Sequence, residues 1–416
     1  MAMQPDFATG PATSFFGEML NNPLPLFAQL RSMGAVVPAP FSTSGQRKVW
    51  MVTRMEEALQ VLKDSESFAI GRAEGNAQPQ RKEETAQTAS APLTISNSML
   101  NMDGLDHKRL RGLVSKVFTP KYIQNLRPNI QQIADTLIDR VEPQGSMELV
   151  EDFAFLLPIN VISNMLGVPH DNWDVLREGS RVMVSSVHDE QDAQVVSERK
   201  SKMAAYNKYI RQLIAEKRRQ PQDDLISQLV QIEDAGDRLS EPELLAMVSL
   251  LIVAGHETTS NLIGTGMLTL FNHPEYLAKL KANLSLVPTA VEELLRFTGP
   301  VLATLPRRAT RDVEIGGQHI AQGDLVISLL TSANHDESHF TNADDLDLAR
   351  KIDRHLAFGY GIHICLGAPL ARLEGDIAFT TLLRRLPNLR MNAPRESITW
   401  YGGFNVRGLT SLPVAF

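Results

Sequence analysis

The stretch FGYGIHICLGAPLAR, Phe358 to Arg372, contains Cys365, the single cysteine of a 416-residue chain. Gly359 and Gly361 allow a tight turn and the close approach of something flat to the backbone. Leu366, Gly367, Ala368 and Pro369 read as a helix start, because proline suits the first turn. The sulfur then faces free N–H groups at a positive helix end, which predicts a lowered thiol pKa and a stabilised thiolate. The plainer reading of a lone cysteine is a small buried hydrophobe. A thiolate is either a nucleophile or a metal ligand, and His363, two residues before it, is a candidate base.

Working outward, the bulk properties set limits. Hydrophobic residues make up 43% and charged residues 21%, as in globular proteins, with a net charge of −7. That balance argues against non-specific nucleic-acid binding. One cysteine excludes an intrachain disulfide framework. The N-terminus MAMQPDFATG has no basic segment followed by an apolar one, so no secretory signal is expected. The most apolar run, Leu244 to Gly255, is too short to span a bilayer and continues into His256 and Glu257. The expectation is a cytoplasmic protein without a membrane anchor.

Helical periodicity dominates, over 105–117, 121–141, 150–166, 196–220, 241–271, 288–297 and 367–386. Ser240 before Glu241, Pro242 and Glu243 suits an N-cap, and Asn272-His273-Pro274 marks the far end. A helix of about 30 residues spans roughly 45 Å and, being apolar through its centre, crosses the whole domain buried. Strands are expected at 48–53, 312–317, 324–330 and the C-terminal RGLTSLPVAF. No repeat and no domain boundary is evident, so 1–416 reads as one domain. Two polar stretches, 71–98 and 185–197, read as loops.

Further constellations each have a bland and a chemical reading. In Ala254-Gly-His-Glu-Thr-Thr259, small residues allow a flat ligand to approach the helix, and an acid beside a hydroxyl can relay protons. The bland alternative is a threonine bonded to its own turn's carbonyl. Glu293 and Arg296 stand i, i+3 on one helix face, ordinarily a solvated pair of little worth. His107 and Arg111, at i and i+4, present two donors that suit paired carboxylates; otherwise they belong to a basic amphipathic helix. At Cys365, no Cys/His cluster supports zinc, whereas one axial thiolate with donors around the sulfur suits haem iron.

The run F-G-Y-G-I-H-I-C-L-G resembles the haem-binding signature of the cytochrome P450 family, the haem-thiolate monooxygenases, and the other motifs extend the resemblance over nearly the whole chain. Cysteine ligation is that family's known haem chemistry. The resemblance implies a mainly α fold with a small β region, a triangular helical prism enclosing haem b (iron protoporphyrin IX) between the long helix and the cysteine loop. It implies that Cys365 ligates the iron, that Glu257 and Thr258 form the oxygen-activating acid–alcohol pair, and that Glu293 and Arg296 form a buried structural clamp. His107, Arg111, Arg307 and His363 are then the propionate donors, with Arg308 leaving Arg307 slightly ambiguous, and His256 is structural. Two departures concern loop geometry: Gly104 and Leu105 stand where prolines are common, and Ser332–Glu337 carries His and Glu where Arg and Pro are usual.

The implied reaction is reductive activation of O2, with one oxygen atom inserted into a C–H or C=C bond and the other released as water. Electrons come from a separate ferredoxin or flavodoxin, docked on a basic patch of Lys108, Lys116 and Arg372. Leu250, Val253, Ala254, Leu302, Ala303, Thr304, Phe404 and Asn405 correspond to positions over the haem. Their largely apolar character points to a lipophilic substrate. Two rivals are a peroxide-driven peroxygenase, which needs no acid–alcohol pair, and a cysteine-ligated haem sensor, which needs an output element not found in the sequence.

Overall fold

The computed structural model describes residues 12–41, 47–70, 95–185, 193–234 and 239–416. Most of the two polar stretches expected as loops, 71–94 and 186–192, lies outside the described residues.

The fold is mainly α with small sheets. The long helix runs Glu241–Asn272, 32 residues, and nearly all of it from Leu244 to Leu270 is buried. The Ser240 N–H donates to the Glu243 carboxylate at 2.8 Å, the backward half of a capping box. Helices Leu156–Leu166, Val287–Thr298 and Ala368–Arg385 pack around it. Close approach to the first of these depends on Gly255, where a Cβ would lie 2.5 Å from the Ile162 side chain. Gly255 therefore serves helix–helix packing, and only Ala254 of the two small residues remains open toward a ligand.

The expected helices are present with shifted ends. The segment 121–141 divides into Pro120–Asn125 and Arg127–Val141, and 150–166 opens with a π turn over Val150–Ala154. Helices Ala12–Asn21, Pro23–Met33, Met55–Lys63, Trp173–Val184, Leu225–Asp234 and Pro274–Ala282 were not among the expectations. These are short, and a window of two or three turns samples the period of 3.6 too few times to stand out.

Among the described residues the main sheet has five strands, in the order Val36–Pro38, Val49–Val52, Leu325–Ser328, Arg307–Ala309, Phe68–Ala69. Val49–Val52 runs parallel to Leu325–Ser328, and the other pairings are antiparallel. The expected strand at 312–317 is the first arm of a hairpin, Val313–Ile315 with Gln318–Ile320. The C-terminal segment forms two strands, Arg407–Leu409 against Trp400–Gly402 and Pro413–Ala415 between two others. No helix among the described residues is long and apolar enough to cross a membrane.

Both loop departures have a local explanation. Gly104 takes φ +60°, a value closed to proline, whose ring holds φ near −65°. His335 is buried and bonds Asp344 Oδ1 at 2.9 Å and the Phe297 carbonyl at 3.0 Å, which anchors the Ser332–Glu337 turn.

Candidate haem site

Cys365 sits at the entrance to helix Ala368–Arg385, exposed, with its N–H donating to the Phe358 carbonyl at 2.9 Å. The loop before it depends on Gly361, at φ +75°, where a Cβ would lie 2.2 Å from the Leu62 carbonyl. The close backbone approach expected of this glycine is thus made by the protein's own helix Met55–Lys63. The backbone N–H groups of Gly367 and Ala368 address the sulfur, as a helix start implies. The expected fall in thiol pKa does not follow. Although the residue's own surface is open, the protein packed around the loop pushes the Cys365 thiol up, and the two N–H groups with Arg111 and Arg372 only partly offset it. The helix end stabilises a thiolate, but desolvation by the surrounding protein is larger.

Basic residues from three separate segments converge near the cysteine. Arg111 Nη2 donates to the Ile364 carbonyl at 2.7 Å, and its charge acts on Cys365. The His107 and His363 rings lie 4.4 Å apart. Burial, with the neighbouring His363 and Arg111, holds the His107 pKa down at about 4, against Asp103. His107 is therefore a neutral donor in the ordinary pH range. Arg307 is buried, its Nη1 3.3 Å from the Phe68 carbonyl, and desolvation lowers its pKa against the pull of Asp103. Alternation along strand Arg307–Ala309 turns Arg307 inward and leaves Arg308 half-buried.

Asp103, which sequence reasoning missed, joins this group. Its Oδ1 lies 2.8 Å from His363 Nε2, and its Oδ2 accepts the Ile70 N–H at 2.6 Å. It occupies the N-cap position of helix Gly104–Val114. An Asp before a helical run is a usual N-cap signal, and this was the available clue.

On the long helix, Ala254, Gly255 and Thr258 interrupt the buried run. Ala254 and Thr258, at i and i+4, leave an open patch halfway along a helix that otherwise touches protein on all sides. The Thr258 hydroxyl donates to the Ala254 carbonyl at 3.2 Å, the bond the bland reading expects. Glu257 is buried one residue around the helix, where its carboxylate accepts a hydrogen bond from the Tyr401 hydroxyl. His256 is fully buried, with Nδ1 2.7 Å from the Ile252 carbonyl.

Among the positions expected over the haem, Leu250 and Val253 share the helix with the open patch and are themselves buried. Leu302 and Ala303 are 2% and 1% exposed within a core cluster containing Phe15, Phe27 and Leu329, so they offer a ligand little surface. Asn405 Nδ2 donates to the carbonyls of Ala303 and Thr304 at 3.1 and 2.7 Å, and Thr304 Oγ1 accepts the Ser328 N–H at 3.1 Å. These side chains tie loops together. Phe404 packs on Phe16 and Phe41, with ring centroids 5.9 Å from each.

Of the expected basic patch, Lys108 is exposed. Arg372 is exposed but donates to both oxygens of Glu292, at 2.6 and 3.0 Å, so its charge is answered locally. The Lys116 side chain lies outside the described residues.

The clamp is buried as expected. Arg296 pairs with both Glu293 oxygens at 2.7 and 2.8 Å, and both residues are 0% exposed. Arg350, not anticipated, donates to Glu293 at 3.2 Å. Another missed residue is Glu374, on the cysteine helix. Both its carboxylate oxygens are buried, with Thr259 the one side chain that interacts with them among the described residues, and burial raises its pKa to about 8 against that contact.

His107 Nε2, Arg307 Nε and Arg308 Nε are also buried without a partner among the described residues. Unanswered donors from several segments beside one exposed sulfur, together with an open patch on the long helix, fit a flat group bearing carboxylates and a thiolate-binding metal. The donor set therefore fits a haem.

The comparisons agree with this class. The family model for cytochrome P450 matches residues 41–389. A "Cytochrome P450" of Bacillus subtilis is 41% identical over 94% of this chain and 93% of that protein. The cytochrome P450 monooxygenase PikC of Streptomyces venezuelae is 38% identical over 94% of this chain and 91% of its own length. Among solved structures, a myxobacterial cytochrome P450 in complex with myristic acid superposes with a TM-score of 0.85 at 34% identity, covering 100% of this chain and 99% of that one. The chain belongs to the cytochrome P450 family, and is an oxygenating oxidoreductase that uses haem.

Proposed function

We propose that this protein is a single-domain, haem b-dependent monooxygenase of lipophilic substrates, reduced by a separate ferredoxin or flavodoxin. Cys365 holds the iron, and His107, Arg111, Arg307 and His363 hold the propionates. When bound, the haem supplies reductive activation of dioxygen, favoured by thiolate donation. Ala254 and Thr258 would leave room on the long helix for the haem and a substrate. The Glu257 carboxylate takes up and releases protons, and Thr258 Oγ1 passes them toward the dioxygen site. The observation that carries this reading is the interruption of a buried helix at Ala254 and Thr258, with a buried acid next in sequence. The myristic acid in the myxobacterial relative supports a lipophilic ligand class.

The test is coupling. Thr258→Ala keeps haem content, the thiolate carbonyl spectrum and substrate affinity. It still consumes reducing equivalents, but yields mostly hydrogen peroxide instead of oxygenated product. Product per NADPH oxidised and peroxide are measured together. Unchanged coupling reduces the Thr258 hydroxyl to its bond with the Ala254 carbonyl. Better turnover with added peroxide than with the electron-transfer chain favours a peroxygenase.

A further inference from the structure

Glu257 does not point at Thr258. Its Oε1 accepts from the Tyr401 hydroxyl, and its Oε2 lies 3.5 Å from His256 Nε2. Tyr401 stands in strand Trp400–Gly402, and its partner across the hairpin is Gly408. A Cβ at Gly408 would lie 2.0 Å from Asn261 Oδ1 and 2.8 Å from the Tyr401 ring. The bare glycine thus provides the space in which the tyrosine and Asn261 meet. Asn261 is one turn beyond Glu257, on the same face of the long helix.

The hydrogen-bond pattern assigns the direction of this network. The Tyr401 oxygen lies 2.9 Å from Asn261 Oδ1, while Asn261 Nδ2 is buried without a partner. A phenol has one proton and cannot donate to Glu257 and to Oδ1 together. Turning the amide by half a turn removes both conflicts. Nδ2 then donates to the phenol oxygen, and the phenol donates to the carboxylate. Burial, the Glu257 charge and the bond to it hold the Tyr401 pKa well above its ordinary value, so the phenol stays a donor. From the other side, the Arg181 guanidinium lies over the Tyr401 ring, 5.0 Å from its centroid.

We infer that Tyr401 is the positioning residue for proton supply: the chain Asn261–Tyr401–Glu257 fixes the acid's carboxylate where it hands protons on. The inference rests on the reading of Glu257 and Thr258 as the acid–alcohol pair. A ring that only packs would matter for stability and nothing else.

The experiment is a double-mutant cycle on the haem-loaded protein. Tyr401→Phe removes only the hydroxyl. It lowers the rate of product formation about ten-fold, the scale of one hydrogen bond to a charged group, and raises the solvent deuterium isotope effect. Haem content and the carbonyl spectrum stay unchanged. The infrared carboxylate band that Glu257→Gln abolishes is displaced in Tyr401→Phe, a readout independent of turnover. In the Glu257→Gln background, Tyr401→Phe has no further effect. Asn261→Leu acts in the same direction by a smaller factor. A slow Glu257→Gln with a wild-type Tyr401→Phe overturns the inference, as does an additive cycle. A wild-type rate in Glu257→Gln instead removes the acid–alcohol reading beneath it.

Discussion

Replacing Arg296 by Met should cost several kcal/mol of stability. Arg296 and Glu293 are both fully buried, so the pair has no water to fall back on. Removing one member of a buried pair costs about 3–5 kcal/mol where the other charge is left uncompensated; Glu293 keeps Arg350 Nε at 3.2 Å and the Asp347 N–H at 2.8 Å, which holds this part of the loss to the lower end of that range. Arg296 also donates to the carbonyls of Asn334 and Ala343 at 2.8 Å each and of Asp345 at 3.0 Å. The Asp345 carbonyl keeps Arg350 Nη2, while those of Asn334 and Ala343, left without this donor, add roughly 1–3 kcal/mol each, so the loss reaches about 5 kcal/mol. The damage also has a direction. Asn334 Oδ1 accepts the Leu356 N–H at 2.6 Å, at the start of the segment leading to Cys365. Loosening the Asn334–Asp345 turn therefore loosens the cysteine loop. Arg350→Met is the control. It also touches Glu293, but its other bonds, to the carbonyls of Thr341, Asn342 and Asp345, are exposed, and its loss costs about 1 kcal/mol. Urea unfolding followed by tryptophan fluorescence, with haem retention from the Soret band, separates the two variants. If Arg296→Met unfolds at the same urea concentration as Arg350→Met and keeps its haem, the clamp is not the brace described.

Cys365→His should abolish the red-shifted Soret band of the ferrous carbonyl complex, even where haem is retained. For Glu374, burial raises the pKa from 4.5 to about 8, so the folded state binds the extra proton and stability falls as pH rises through that window. Glu374→Gln should flatten the dependence of unfolding on pH between those limits, removing a penalty with a ceiling of roughly 5 kcal/mol; an unchanged slope would show that another group titrates. Lys108→Glu should slow reduction by an acidic ferredoxin and blunt its salt dependence while leaving substrate binding intact. Indifference of the reduction rate to both salt and the reversal would place docking elsewhere.

The sequence by itself determined what lies in contiguous residues. The cysteine loop, its proline-led helix, the i, i+3 clamp and the cap at Ser240 were all legible, because their partners sit within a turn or two and local geometry decides them. The long helix was legible for the same reason, since its apolar length exceeds any short-window ambiguity. Only the tertiary structure decided which distant groups share a site. Asp103 meets His363 across 260 positions, and Tyr401 meets Glu257 across 144. Chain folding alone brings such pairs together, and neither partner carries a local mark of the other. Burial was likewise beyond the pattern. Protein packed around the open cysteine loop reversed the expected direction of the Cys365 thiol pKa, and burial withdrew Leu302 and Ala303 into the core and left Glu374 with little besides Thr259 to answer its carboxylate. Desolvation depends on the atoms packed around a group from every side, and one strand of sequence shows only the neighbours along it.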